Sequence, residues 1–242
     1  MLEGLYSAAS GMEAQQQQFN AVSNDMANLD TPGYQSTMVG FHDLLYSNGS
    51  YGSNVATGAG SAAAIVGRDL TQGAINRTGQ PLDLAVQGQG FIEVRRFDGS
   101  IGLTRNGHLQ LNANRQLTTQ EGMLVQPPIT IPSGVSTDQV TIASDGTVSA
   151  SGRRVGKISL ASVPAPNGLV ADGNDVFSAT AASGAIRPAN NVSLQQGALE
   201  ASNVNLGDEM AKMMTAQQEY AMGSQAIQYQ NQMLSIANEI KP

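Results

Sequence analysis

Residues 27–35 read ANLDTPGYQ, and this stretch decides the layout of the chain. Before it, residues 2–29 contain no proline, and Leu2, Leu5, Met12, Phe19, Val22, Met26 and Leu29 fall on a stripe of three- and four-residue spacings that also takes in Ala9 and Gln16. That periodicity predicts an amphipathic helix. The stripe is thin, so the helix is marginal alone and calls for a partner surface. Pro32 then disfavours helical geometry at Thr31, and Gly33 permits almost any turn. Thr31-Pro32-Gly33-Tyr34 therefore predicts a helix stop.

Beyond the stop the pattern changes twice. Residues 35–81 show little periodicity, and 47–64 are small-residue, low-complexity sequence expected to form a loop or extended arm. From Leu82 the period becomes two. FIEVRRFDGSIGLTR predicts a hairpin around Asp98-Gly99, LQLNANRQLTT a second around Asn112-Ala113-Asn114, and VTIASDGTVSA a third around Asp145-Gly146. The helical period returns after Asn203. Asn205 is a candidate N-cap, with Asp208 and Glu209 in the first turn where the helix dipole favours them. Leu206, Met210, Met213, Tyr220, Ile227 and Leu234 follow the three- and four-residue spacing. A helix over 206–240 would be about 50 Å long, too long for a small domain to cover.

The expected layout is an N-terminal helix over 1–31, an irregular arm over 32–81, a central β domain over 82–200 and a C-terminal helix over 201–242. The fold class is α+β, with two long terminal helices pairing as a coiled coil beside a central antiparallel β domain of short strands and hairpins. Both termini are acidic: residues 1–67 hold five acids and no base, and 200–242 hold five acids against two lysines. Complementary charge cannot pair such helices, so an apolar seam must, with Gln and Asn setting register.

Composition narrows the function. The net charge is −7 and there is no cysteine. Acidic ends do not suggest a basic nucleic-acid face or an attraction to anionic lipid, and the absence of cysteine excludes disulfides, thiolate metal sites and cysteine nucleophiles. The start MLEGLYSAASGMEAQQQQ lacks the positive residues of a cleavable leader, and no run is long enough to span a bilayer.

Candidate chemistry is sparse. His42 and His108 stand in no metal-ligand spacing. Gly88-Gln89-Gly90 begins like a dinucleotide loop, but a strand follows, so it is a close-packed strand entry. FDGS and SDGT lack the further ligands of a calcium loop and read as hairpin turns. No G-x-S-x-G elbow occurs and there is no tryptophan. No catalytic, metal or cofactor residue is assigned. The methionines near 210–214 would ordinarily be core; on a helix this long and polar they read as an assembly surface.

Three stretches carry a resemblance over nearly the whole chain. GLYSAASGMEAQQ…SNDMANLDTPGY meets an A-N-x-x-T-x-G-[YF] pattern at Ala27, Asn28, Thr31, Gly33 and Tyr34, with Pro32 inside it. GALEASNVNLGDEM, containing Ser202, Asn203, Val204 and Asn205, precedes the last helix, and LDLAVQGQGFIEV and LTRNGHLQLNANRQL lie between. Together they resemble the bacterial flagellar rod and hook proteins, and the ending looks most like the distal rod type, with the proximal rod type next. The resemblance implies a non-enzymatic structural subunit of the flagellar basal body in the cell envelope. Such subunits leave unfolded through the type III export apparatus and polymerise helically into a hollow axial tube. The terminal helices form its inner wall and the β domain an outer layer, and the tube transmits torque and conducts exported subunits. Implied partners are copies of the same chain, other rod and hook proteins, the export apparatus and bushing-ring proteins, with no cofactor, no nucleic acid and no membrane insertion. FHDLL, from Phe41 to Leu45, resembles the family's export-gate motif. The competing classes are a secreted adhesin or phage-tail-like β protein, which predicts closed trimers, and an enzyme on a β scaffold, which predicts a carboxylate pair in a cleft.

Overall fold

The computed structural model describes residues 2–44, 47–48, 56–58, 60–189 and 191–239. The fold is α+β, and its contacts divide it into two units. One is helical: Met1–Ala27, Thr37–Val66 and Asn205–Pro242. The other is built of strands: Asn28–Ser36 and Gly67–Val204.

In the helical unit, helix α1 spans Leu2–Ala27 and helix α2 spans Leu206–Glu239. They pack side by side and run antiparallel, since Gly4 lies against Gln230 and Met12 against Gly223. A side chain at Gly223 would come within 2.7 Å of Met12, so glycine there permits the close approach. Strands Thr37–Asp43 and Ser61–Arg68 pair as a two-stranded ribbon. Asp25, buried near the end of α1, accepts hydrogen bonds from the backbone N–H and the hydroxyl of Thr37, both at 2.9 Å. That bond returns the chain to the helix after the loop 28–36. Among the described residues no helix is long and apolar enough to cross a membrane.

The β unit is antiparallel. Strand Phe91–Arg95 pairs with Ile101–Thr104 on one side and Leu124–Val125 on the other. The sheet continues through Leu117–Thr119 to Leu109–Leu111 and, at the other end, through Val176–Ser178 to Val170–Ala171. Val140–Ile142, Thr147–Ala150 and Arg153–Lys157 form a separate three-stranded sheet. The hairpins turn where the sequence places them. Asp98 accepts bonds from the backbone N–H and the hydroxyl of Ser100, and Asp145 does the same for Thr147. Gly99 and Gly146 follow at φ 86° and 85°. One Asp-Gly-Ser/Thr chemistry makes both turns, and the same bonds hold the two carboxyls below the ordinary aspartate range.

Burial departs from alternation in strands Leu84–Gln87, Ile101–Thr104 and Leu117–Thr119. In the first, Leu84, Ala85 and Val86 are all buried, because it is covered on both faces. Around it Ile92, Val94, Leu117, Val125, Ile129, Val148 and Ile158 form the main core. A second cluster surrounds Phe91 and Phe177, whose rings meet edge to face at 5.9 Å.

Candidate functional site

The loop after α1 is an ordered part of the β unit. Helix α1 ends at Ala27, so Leu29, the last rung of the sequence stripe, lies beyond the helix in the turn region, half buried. Thr31 donates its hydroxyl to the Asn28 side-chain oxygen at 3.2 Å, and the Tyr34 N–H bonds the Thr31 carbonyl at 3.3 Å. Pro32 and Gly33, with φ 74° at Gly33, occupy the central positions of a type II turn. Gly33 is required twice over. Its φ disfavours side chains, and a Cβ would stand 2.6 Å from the backbone of Arg105 and Asn106.

This turn docks on residues 200–204 of the same chain. The Gly33 N–H bonds the Glu200 carbonyl at 2.8 Å, and the Asn203 N–H bonds the Tyr34 carbonyl at 3.3 Å. The Asn203 side chain does most of the joining. Its oxygen accepts the Ser36 N–H at 2.8 Å, and its amide donates to the carbonyls of Asp69 and Thr71 at 2.7 and 3.1 Å and to Gln35 at 3.3 Å. Tyr34 is buried beneath the Arg68 guanidinium, 5.3 Å from the ring centre, and Arg68 also donates to the Gln35 carbonyl at 2.8 Å.

Beneath the turn lies a charge pair. Arg105 Nε and Glu200 Oε2 are 3.2 Å apart, with both side chains essentially without solvent exposure. The guanidinium also donates to the Gly88 carbonyl at 2.5 Å and stands over the Phe91 ring. The Glu200 carboxylate accepts the Gly73 N–H at 3.1 Å and the Gln35 amide at 3.5 Å. Burial pushes the Glu200 carboxyl up and the Arg105 guanidinium down, and each opposes the shift of the other. Gly73 has no room for a side chain, since its Cβ would meet the Ala201 carbonyl oxygen at 2.0 Å.

Within the motif residues of the second terminus, Ser202 accepts the Val204 N–H at 3.3 Å, and Val204 is buried. Asn205 is the N-cap of α2, its side-chain oxygen accepting the N–H groups of Gly207 at 2.9 Å and Asp208 at 3.4 Å.

In the helical unit, the residues of the α1 stripe separate by position. Leu5, Met12, Phe19 and Met26 stand seven residues apart and are half buried, and Val22 is buried. Gln15, not Gln16, completes the contact row; Gln16 is exposed and donates to Asn20 at 3.1 Å. On α2, Met213, Ile227 and Leu234 are half buried and Tyr220 is 45% exposed. Leu206 and Met210 are exposed as well: Leu206 is in the same row as Met213 and Ile227 but is the first residue of α2, and Met210 stands off that row. A gap of about 230 Å³ lined by Gln15, Gln16, Phe19, Ala216, Gln217 and Tyr220 remains between the helices. Leu2 is the first residue of α1. Phe41 lies half exposed on strand Thr37–Asp43, while its motif partner Leu45 falls outside the described residues.

Sequence reasoning found both ends of the docked turn but missed what joins them. Arg105, Glu200 and Asp25 lie inside the stretches that carry the resemblance, and Arg68 and Gly73 outside them, but no periodic row marks any of the five. His108, which stands in no metal-ligand spacing, is half exposed with Nδ1 2.8 Å from the buried Asp83 carboxylate. Among the described residues no group of acids and histidines is placed to hold a metal ion.

Three families match parts of the chain. Residues 5–35 match flagella basal body rod protein, 85–150 the flagellar hook protein FlgE/F/G D1 domain, and 195–240 the flagellar basal body rod FlgEFG protein C-terminal region. The chain is 34% identical to the flagellar basal-body rod protein FlgG of Borreliella burgdorferi, covering 100% of this chain and 99% of that one. It is 37% identical to FlgG of Caulobacter vibrioides over 99% of this chain and 100% of the relative. It is also 30% identical to the rod protein FlgF of Salmonella typhimurium over 94% of this chain and 93% of the relative.

Proposed function

Because this chain belongs to the flagellar basal-body rod and hook protein family, and is therefore a structural protein of the basal body, we propose that it polymerises helically as the subunit of the distal rod. Full-length similarity to relatives named FlgG supports the distal assignment over the proximal one. The observation that carries the polymer reading is the helical unit. Two long helices pack on one another yet leave Leu206, Met210, Met214, Met222, Tyr229 and Met233 between 44% and 64% exposed. An isolated domain gains little from holding a helix of 34 residues with so much apolar surface in water. Covering that surface with further copies turns the cost into association energy. Heterologous contacts that do not close give an open filament.

In this reading the helices pair as a coiled coil in the tube wall, other rod and hook proteins cap the filament, and bushing-ring proteins surround it. Export precedes folding, with Phe41 and its neighbours read as an unfolded segment by the type III apparatus.

The test is electron microscopy of the purified chain with circular dichroism before and after assembly. The expected result is open tubes and a gain of helix on polymerisation. The Leu206→Asp/Met210→Asp chain is expected to stay monomeric with its β unit still folded. Closed trimers, or normal tubes from that variant, would overturn the reading.

A further inference from the structure

The ten methionines are divided unevenly between the units. Nine lie in the helical unit, and the β unit holds one, Met123. Met123 is 4% exposed and packs into the main core. On α2, by contrast, Met210, Met214, Met222 and Met233 are between 49% and 61% exposed. Met213 is half buried, as are Met12 and Met26 of α1.

The four exposed sulfurs share one side of α2. Each residue turns about 100° around a helix, so Met210, Met214, Met222, Tyr229, Met233 and Ile236 fall within an arc of about 140°. All six are exposed. Ala216, Gly223 and Gln230, which mark the side that α1 covers, lie outside that arc. Met210 and Met214, four residues apart, are neighbours on the helix surface.

Two properties of methionine meet on this arc. Its flexible thioether packs against many surfaces, which suits an apolar face that assembly is to cover. The same thioether is open to two-electron oxidants, and the chain has no cysteine or tryptophan to draw them away. With a peroxide, a sulfur lone pair attacks one oxygen, an S–O bond forms and the O–O bond breaks. The other oxygen leaves as water, so sulfur loses two electrons and the peroxide gains them. The product is a polar sulfoxide in place of an apolar side chain. On the arc it sets a strong hydrogen-bond acceptor where burial calls for apolar surface, and an acceptor buried without a donor opposes association. In the β unit the one thioether is shielded by the core, so the same oxidant leaves that unit unchanged.

We propose that Met210, Met214, Met222 and Met233 form a modification site for peroxides on the unassembled chain, and that their conversion to sulfoxide holds the chain out of the filament while the β unit stays folded. The proposal rests on the polymer reading above. Sulfoxide is returned to methionine by reductases specific for its two epimers, so the block is reversible.

The test treats the full-length chain with hydrogen peroxide, reads the oxidised positions by peptide mass and follows tube formation by electron microscopy. Sulfoxide is expected at the four α2 positions and not at Met123. The oxidised chain is expected to keep the urea transition of its β unit while needing at least about tenfold more protein to form tubes. Treatment with both sulfoxide reductases is expected to restore the original threshold. Met38, on strand Thr37–Asp43, is also exposed. The Met210→Leu/Met214→Leu/Met222→Leu/Met233→Leu chain separates its effect, because the replacements are apolar and of similar volume. This variant is expected to form tubes equally well before and after peroxide. An unchanged threshold for oxidised wild type, equal inhibition of the leucine variant, or a block that the reductases do not lift would sink this site and leave the polymer reading intact. Closed oligomers from the untreated chain would remove both.

Discussion

Arg105 and Glu200 show how much a few residues decide. Each charge would be costly in the interior alone, and the pair is kept by mutual neutralisation and by bonds to Gly88, Gly73 and Gln35. Arg105→Leu leaves the Glu200 carboxylate buried without its counter-charge, and the β unit is expected to lose about 3–5 kcal/mol in urea unfolding. Arg105→Met with Glu200→Leu is expected to recover much of that loss; a double variant no better than the single one would contradict it. Burial raises the folded-state carboxyl of Glu200 above its ordinary value of 4.5. The native protein therefore binds more protons than the unfolded chain just above that pH, and this group's contribution to stability falls as pH rises through the window. Glu93 and Asp175, also raised by burial, act in the same sense. Losing the guanidinium extends the fall to higher pH, which a comparison of urea midpoints from about pH 4 to 7 reads directly.

The elements repeat a similar division between local and distant causes. Asp-Gly turns, the Pro32 stop and the Asn205 cap act over two or three residues, and they stand where the sequence places them. Asn205→Ala removes the bonds to Gly207 and Asp208 and is expected to cost about 1 kcal/mol, seen as earlier thermal loss of helix by circular dichroism with the β unit unchanged. An equal loss in both units would show that Asn205 does more than cap. The stripe on α2 was legible as helical, but not which of its residues α1 covers. Spacings of three and four admit Met210 beside Met213, but only the row of Met213, Tyr220, Ile227 and Leu234 repeats every seven residues, so Met210 leaves the face that α1 covers. Only packing separates the two faces, because apolar residues on opposite sides of a helix give no single amphipathic direction.

The molecule divides its charge as sharply as its structure. Residues 28–36 and 67–204 hold eleven acids and ten bases, whereas the helical unit holds eight acids and two lysines. Bringing copies of the acidic unit together is opposed by like charge and must be driven by apolar contact. Screening is therefore expected to favour assembly. Raising salt from about 0.01 M to 0.15 M shortens the screening length from about 30 Å to 8 Å, and the protein concentration needed for tubes should fall. A threshold that rises with salt would show attraction between opposite charges instead. Membership of the rod and hook family was legible from paired motifs at the two ends of the chain, and the comparisons bear it out.

What the sequence determined by itself was local or periodic: where helix gives way to turn, where strands reverse, how apolar residues repeat, and which chemistries lack their residues. What the tertiary structure decided was which distant residues meet. Asn203 binds the backbone of Ser36 across 167 positions, and Arg105 meets Glu200 in the core. Neither pairing has a period or a spacing to announce it. The chain brings them together because burying Tyr34, Gln35 and Leu84 leaves polar groups that must find partners inside. ANLDTPGYQ stated that the helix ends; the fold decided that its turn closes on ASNVN of the same chain.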